Sequence, residues 1–455
     1  MSCSTTVKNY RVYCTTGGNY ETIWSSTVPT VCPSDGGPID TSLTTIIDTV
    51  GTNIVDTGAN FDAFQRLRVS QLTTQLDIKQ TQNQQPLLIS QVQSGSGLST
   101  YNSGQSSTTL STAATNDYAI AQTFIRGQYQ SGKSQLIEMT FSEFQSQTNI
   151  IKRVGYFNSS TSAPYTATLD GIFMESNDTG IYFKIYRNGT EIFNVEQSEW
   201  DDPADGTQDC PALDFSQSQI LLIDFQWLGV GRVKFSFFVG SILYPVYTAA
   251  NANIHDVVYM ATPNHSLRWE IRQSGAGSGS LTYICAAVHT EGGNNIVGRQ
   301  LTVGTNQNFI NANSSGTYYA LVGLRLLSTS PGTKVELLSL NMAPLSNDAV
   351  FWQLRFNPTV AGTFTYNAVS GSNIEGAVGD TTNSPSTNTV TGGTILASGY
   401  INRGDASALS ASFSNALRLG TSIAGTATTL VLCCTPVNGY SMLDVTGTIT
   451  WFETE

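Results

Sequence analysis

The chain has 455 residues, only 12% of them charged, and its 33 acidic against 21 basic residues give a formal net charge of −12. A length well beyond about 250–300 residues exceeds what one hydrophobic core supports, so more than one domain is expected. No run of Lys and Arg offers a footprint for phosphate, which excludes direct nucleic-acid binding, and 41 glycines among abundant Ser, Thr and Asn favour sheets and turns over helices.

The opening, MSCSTTVKNYRVYC, lacks a basic segment followed by an apolar core. The most apolar later stretch, ILLIDFQWLGVG, is short and interrupted by Asp224. Neither a signal peptide nor membrane insertion is therefore expected.

Residues 1–90 read as an N-terminal arm and attachment module. Up to about residue 55, Tyr10, Tyr13, Tyr20 and Trp24 accompany the turn-rich VCPSDGGPID, which is too little chain for a full core. This stretch is either a small β-unit or an arm ordered against a partner. In FDAFQRLRVSQLTTQLDIKQ, Phe61, Phe64, Leu67, Val69, Leu72 and Leu76 are apolar anchors, with Arg66 and Arg68 between them. Positions 61, 64 and 67 suit a helix, whereas Leu67 and Val69 suit an extended chain. Phe61, Phe64, Arg66, Leu67 and Arg68 are the partner-binding candidates, in a segment that is either an inter-subunit clasp or a connector within one subunit.

Residues 91–117 are rich in Ser, Gly and Thr and read as a linker or surface loop. From 118 to 295 strand signals are dense. In GIYFKIYRNGTEIFNV, Ile181, Phe183 and Ile185 alternate with Tyr182, Lys184 and Tyr186, and Asn188-Gly189 suits a type I′ hairpin because both central residues need positive φ. A second hairpin is expected around Gly229 and Gly231, with Trp227 in the core, followed by runs at VVYM, LRWEIR and LTYICAAV. The pattern restarts at residue 296 with TYYALVGLRLL, KVELLSLNM, VFWQLRFNP, ATTLVLCC and GTITWFE, and only SALSASFSNALRL has a helical cast. The fold class expected is all-β: two antiparallel β-sandwich (jelly-roll-like) domains, 118–295 and 296–455, preceded by a short N-terminal module.

Signals for chemistry are sparse. Cys3, Cys14, Cys32, Cys210, Cys285, Cys433 and Cys434 contain no CxxC pair, and His255, His265 and His289 have no zinc-ligand spacing. Buried thiols, no cofactor and no structural metal are the reading. The loop EWDDPADGTQD brings Glu199, Asp201, Asp202, Asp205 and Asp209 together, and Asp201, Asp202 and Asp205 form a weak calcium candidate without the alternating order of a converging calcium loop. No nucleophile elbow, HExxH or phosphate-cradling loop is present, so no enzyme is expected. Arg403-Gly404-Asp405 matches a receptor-read tripeptide, sequons occur at Asn158, Asn177, Asn188, Asn264 and Asn313, and Tyr318, Tyr319 and Trp451 are candidates for stacking on sugars.

Several blocks in order, NYRVYCTTGGNYETIW with TVCP, AFQRLRVS, GQYQSGKSQLIEMTF, KRVGYF, DGIFME, QSEW, QILLIDFQWLGVGRVKF, VYMATPN, and LRWEIR followed by HTEGG, span most of residues 9–300. In these the chain resembles a family of virion structural proteins encoded by tailed phages and large DNA viruses of aquatic environments. It departs from that pattern at Gln65, where the family reads Gly. The resemblance implies a minor capsid, cement or capsid-attached fibre protein of the virion, assembled inside the host cell. Its partners would be other virion proteins and copies of itself, and no catalytic residues are implied. The alternative is a module of a viral tail or spike that binds a host-surface receptor or glycan.

Overall fold

In the computed structural model the described residues are the strands at 6–14, 19–25, 39–51 and 407–409, given as backbone, together with 71–293, 297–345, 349–402, 418–437 and 443–454. All strand pairings among them are antiparallel, and the one helical element is a single 3-10 turn, Gln197–Glu199. No helix among the described residues is long and apolar enough to cross a membrane.

The chain divides into two compact units, Met1–Phe61 and Asp62–Glu455. The first is a three-stranded sheet in the order Asn19–Ser25, Thr6–Cys14, Ile39–Gly51. Its register sets Tyr10 opposite Ile23 on one side and Ile46 on the other.

The second unit contains two sandwiches. The first joins a seven-stranded sheet, in the order Thr190–Glu196, Ile181–Arg187, Asp170–Ser176, Ile150–Asn158, Leu267–Gln273, Tyr118–Thr123, Ile89–Ser94, to a second sheet centred on the long strand Gly279–Glu291. Alternation turns Ile181, Phe183 and Ile185 into the space between the sheets. There the Phe183 ring lies 4.0 Å from Phe235, and Trp269 stacks 4.6 Å from Tyr283. The Asn188-Gly189 turn has φ of 42° and 88°, as a type I′ hairpin requires, and it closes on the Arg187 to Thr190 pair.

The boundaries differ from those expected. The first sandwich begins at Leu72, because Leu72–Lys79 pairs with Cys285–Glu291. The stretch 91–117 is no linker but carries strands Leu98–Asn102 and Ser107–Thr112 and the end of Ile89–Ser94. The reason is that Thr and Ser satisfy one another across strands: Thr109 Oγ1 lies 2.7 Å from Thr282 Oγ1, and Thr108 Oγ1 donates to Gln80 Oε1 at 2.9 Å. Leu110 supplies the one deeply buried apolar anchor of that strand. An attachment module of residues 1–90 would thus tear strands out of the first sandwich, whereas the unit boundary falls at Phe61.

Three local readings are also corrected. Trp227 is half-buried rather than central, with its Nε1 donating to the Met260 carbonyl at 3.2 Å. VVYM is a loop, apolar because Tyr259 and Met260 plug the core. Ser407–Leu409, at the start of the stretch with a helical cast, is a short strand pairing with Leu340–Met342, and residues 410–417 lie outside the described residues.

The second sandwich sets a five-stranded sheet, built on Lys334–Pro344 and Leu443–Thr454, against an eight-stranded one built on Tyr318–Leu326, Thr429–Pro436 and Val350–Phe356. Trp451, Leu324 and Leu354 lie in its core. The segment after Arg418 lies on the first sandwich. Thr421 N donates to the Phe124 carbonyl at 2.9 Å and Ile423 N to Ser90 Oγ at 3.2 Å. Gly420 permits this approach, since a Cβ there would sit 2.3 Å from the Phe124 oxygen.

Candidate functional site

Phe61, Phe64, Arg66, Leu67 and Arg68 lie outside the described residues, as does Arg403-Gly404-Asp405. The acidic loop is described, and its carboxylates do not converge. Asp202, buried, accepts from Ala204 N at 2.9 Å and Cys210 N at 2.8 Å, Asp201 accepts from Thr248 N at 3.0 Å, and Asp205 from Thr207 N at 2.9 Å. Each caps a different piece of backbone, which is why the loop is acidic. Among the described residues no group of three or more His, Cys, Asp or Glu is placed to hold a metal ion.

The proposed sugar-stacking aromatics divide. Trp451 and Tyr319 are core residues, and Tyr318 is half-buried with the Arg355 guanidinium 4.3 Å from its ring centroid. Cys210, Cys433 and Cys434 are buried free thiols, and Cys285 is half-buried. Of the sequon asparagines, Asn158 is buried beside His265, and Asn188 holds the hairpin turn.

The densest electrostatic feature was not foreseen. On the seven-stranded sheet, residues facing away from the core form a buried ionic lattice across adjacent strands. Glu270 Oε1 accepts from Arg153 Nη1 at 2.6 Å and Arg272 Nε at 3.0 Å, and Oε2 accepts from Arg268 Nη2 at 2.6 Å and Nε at 2.9 Å. Glu175 takes the other edge of Arg153 at 2.6 Å and Lys184 at 2.9 Å. Burial alone would raise the Glu270 carboxyl, but the guanidiniums of Arg272, Arg268 and Arg153 outweigh it and hold it far below its ordinary value. Arg268 is lowered by burial and Arg153 raised by its two carboxylates, as befits one guanidinium crowded by others and one flanked by anions. Arg268 and Arg272 also donate to the Tyr165 carbonyl at 3.2 and 3.0 Å, fixing the loop that crosses this face. Every ionised group here is occupied by another, so the lattice is structural.

Behind the turn at Asn188, the Asp170 carboxylate accepts from Ala261 N at 2.9 Å and Asn188 N at 3.1 Å, and its Oδ2 lies 3.3 Å from His265 Nε2. Burial would raise this carboxyl, but His265 and the backbone N–H groups lower it below its ordinary value. His265 is itself fully buried, so the pair pins loops rather than facing a substrate.

One cavity, about 650 Å³, is bounded by Leu76, Ile78, Leu88 and Ile125 with Gln82, Asn83, Asp77 and Arg418. A second, about 440 Å³, opens between the two sandwiches and is lined by Arg126, Thr262 and Asn264 from one side and by Thr329, Ser330, Pro331, Gly332, Thr333 and Asn373 from the other. Its walls are tied by a hydrogen bond from Gln128 Nε2 to the Gly332 carbonyl. Arg126 Nη1 reaches the Asn264 carbonyl at 3.4 Å and, with the Asn158 amide turned so that its oxygen faces the guanidinium, Asn158 Oδ1 at 3.1 Å. Arg126 Nε is buried and meets no acceptor. Desolvation pulls this guanidinium down to about 10, which leaves it charged at neutral pH.

No protein-family model matches the sequence, and no curated protein matches it. Among solved structures, the chain is similar to the Bacillus licheniformis β-glucanase (11% identity, 48% of this chain and 98% of that one, TM-score 0.32). It is similar also to the Emp47p carbohydrate recognition domain (12% identity, 49% and 97%, TM-score 0.32). A third is lectin II from Ulex europaeus (11% identity, 48% and 100%, TM-score 0.31).

Sequence reasoning passed over Arg126 because nothing local marks it. It is one Arg in TFIRGQYQ, and its significance comes from Thr329–Thr333, some 200 residues away in the chain.

Proposed function

We propose that the protein is a non-catalytic structural component of a virus particle, a minor capsid, cement or capsid-attached fibre protein that acts through contacts with other virion proteins and with copies of itself. The observation that carries this reading is the N-terminal unit, a separate sheet of only three strands. A sheet of three strands is at the lower limit for independent stability, and a neighbour in an assembly would supply a further layer. The resemblance of the ordered sequence blocks to a family of virion structural proteins points the same way.

The test is removal of residues 1–61, a boundary that leaves every strand of both sandwiches in place. The shortened chain is expected to remain folded and to lose incorporation into particles. Incorporation at wild-type occupancy would refute the attachment role. A second reading, a tail or spike module that binds a host glycan or receptor, is favoured by the polar cleft at Arg126.

A further inference from the structure

We propose that the cleft between the two sandwiches binds an oxyanion, the carboxylate or sulfate of an acidic sugar, with Arg126 as the anchoring cation. The inference deepens the glycan-binding reading and does not depend on where the protein sits in a particle.

The geometry of the guanidinium carries the argument. Its Nη1 is engaged by amide and carbonyl oxygens, while Nε, the first donor of the opposite edge, has no partner. That edge, Nε with Nη2, is the fork by which Arg268 holds the Glu270 carboxylate in this same protein. A buried donor left empty is costly, so a cation in this state stands ready for an anion with two oxygens in one plane. Arg153, Arg268 and Arg272 each have a Glu within 3.0 Å. Arg126 has none among the described residues, and the carboxylate acting on it from further off, Asp170, is already taken by His265 and backbone N–H groups.

The rest of the lining suits the remainder of such a ligand. Thr262, Asn264, Thr329, Ser330 and Asn373 present hydroxyl and amide groups, and no carboxylate or aromatic ring is among the lining residues. Neutral groups of this kind exchange hydrogen bonds with sugar hydroxyls without repelling an anion. A volume of about 440 Å³ lies within the range of small-ligand sites and accommodates a monosaccharide. The seam continues past Arg126 toward Arg418 and Lys334, the latter already paired with Glu336.

The test is isothermal titration calorimetry on the full chain at low ionic strength with four probes: glucuronate, glucose 6-sulfate, inorganic sulfate and neutral glucose. The anionic sugars are expected to bind and glucose not to. Arg126→Gln is expected to weaken anion binding roughly 10- to 100-fold, the loss of one charge-assisted hydrogen-bonded contact. Thr329→Glu, at an exposed position on the opposite wall, puts a like charge beside the site without disturbing the core, and is also expected to weaken it. If Arg126→Gln does not fold, Thr329→Glu decides the matter. Binding of inorganic sulfate without either acidic sugar would uphold the oxyanion site and remove the glycan reading. Absence of binding by all three anions, or affinities unchanged in both variants, would overturn the inference.

Discussion

Replacing Glu270 by Gln keeps the side-chain shape and one carbonyl acceptor while removing the charge that three arginines share. Arg153 would retain Glu175. Arg268 would be left with the oxygens of Gln122, Ser159 and Tyr165, and Arg272 with Tyr165 alone, while the new amide turns a donor toward donors. Breaking a buried ion pair from one side costs about 3–5 kcal/mol. At about 2–4 °C per kcal/mol for a domain of some 200 residues, the first sandwich should melt roughly 6–20 °C lower. Differential scanning calorimetry and urea unfolding would read this directly. The pH dependence adds a second constraint. The folded carboxyl is held below its unfolded value near 4.3, so its contribution is fully present above that value and disappears as pH falls through the lower folded one. The gap between wild type and variant should therefore be level from about pH 5 to 8 and narrow below about pH 4. A loss under about 1 kcal/mol, or a gap that widens in acid, would refute the claim that this lattice holds the sheet.

The tryptophans should separate by position. Trp269→Ala is expected to cost about 3–5 kcal/mol and Trp227→Ala about 1–2 kcal/mol, and acrylamide should quench Trp227 but neither Trp269 nor Trp451. Equal losses at Trp227 and Trp269 would contradict the placement. Gly231→Ala should destabilise by about 1–3 kcal/mol, because its Cβ would lie 1.7 Å from the Gln226 oxygen. Gly240→Ala, at a hairpin tip with φ of 63° and open space around it, should cost no more than about 1 kcal/mol. Urea midpoints of the two variants would decide this, and a reversed order would be incompatible with the turn described.

Much of the fold was legible in the sequence because period-two alternation is local. Ile181, Phe183 and Ile185 with Asn188-Gly189 specify a hairpin without reference to anything distant. The Thr-rich strands at 98–112 were not legible, since their stability comes from Thr109 meeting Thr282 and Thr108 meeting Gln80, pairings that composition cannot reveal. Trp227 and VVYM show the converse: apolar residues read as central strand or core are here a half-buried ring and a core-plugging loop. The candidate site was the least legible. Asp201, Asp202 and Asp205 stood out as a cluster yet serve separate backbone caps, whereas Arg126 gains its meaning only when the two sandwiches meet.

The central claim, that this chain is part of a virus particle and is held there through its N-terminal unit, is tested most directly by a particle reconstruction at chain-tracing resolution. The account predicts copies at symmetry-related positions, with the sheet of Thr6–Cys14, Asn19–Ser25 and Ile39–Gly51 packed against a neighbouring subunit. A particle in which the chain is absent, or in which that sheet touches no other protein, would contradict it.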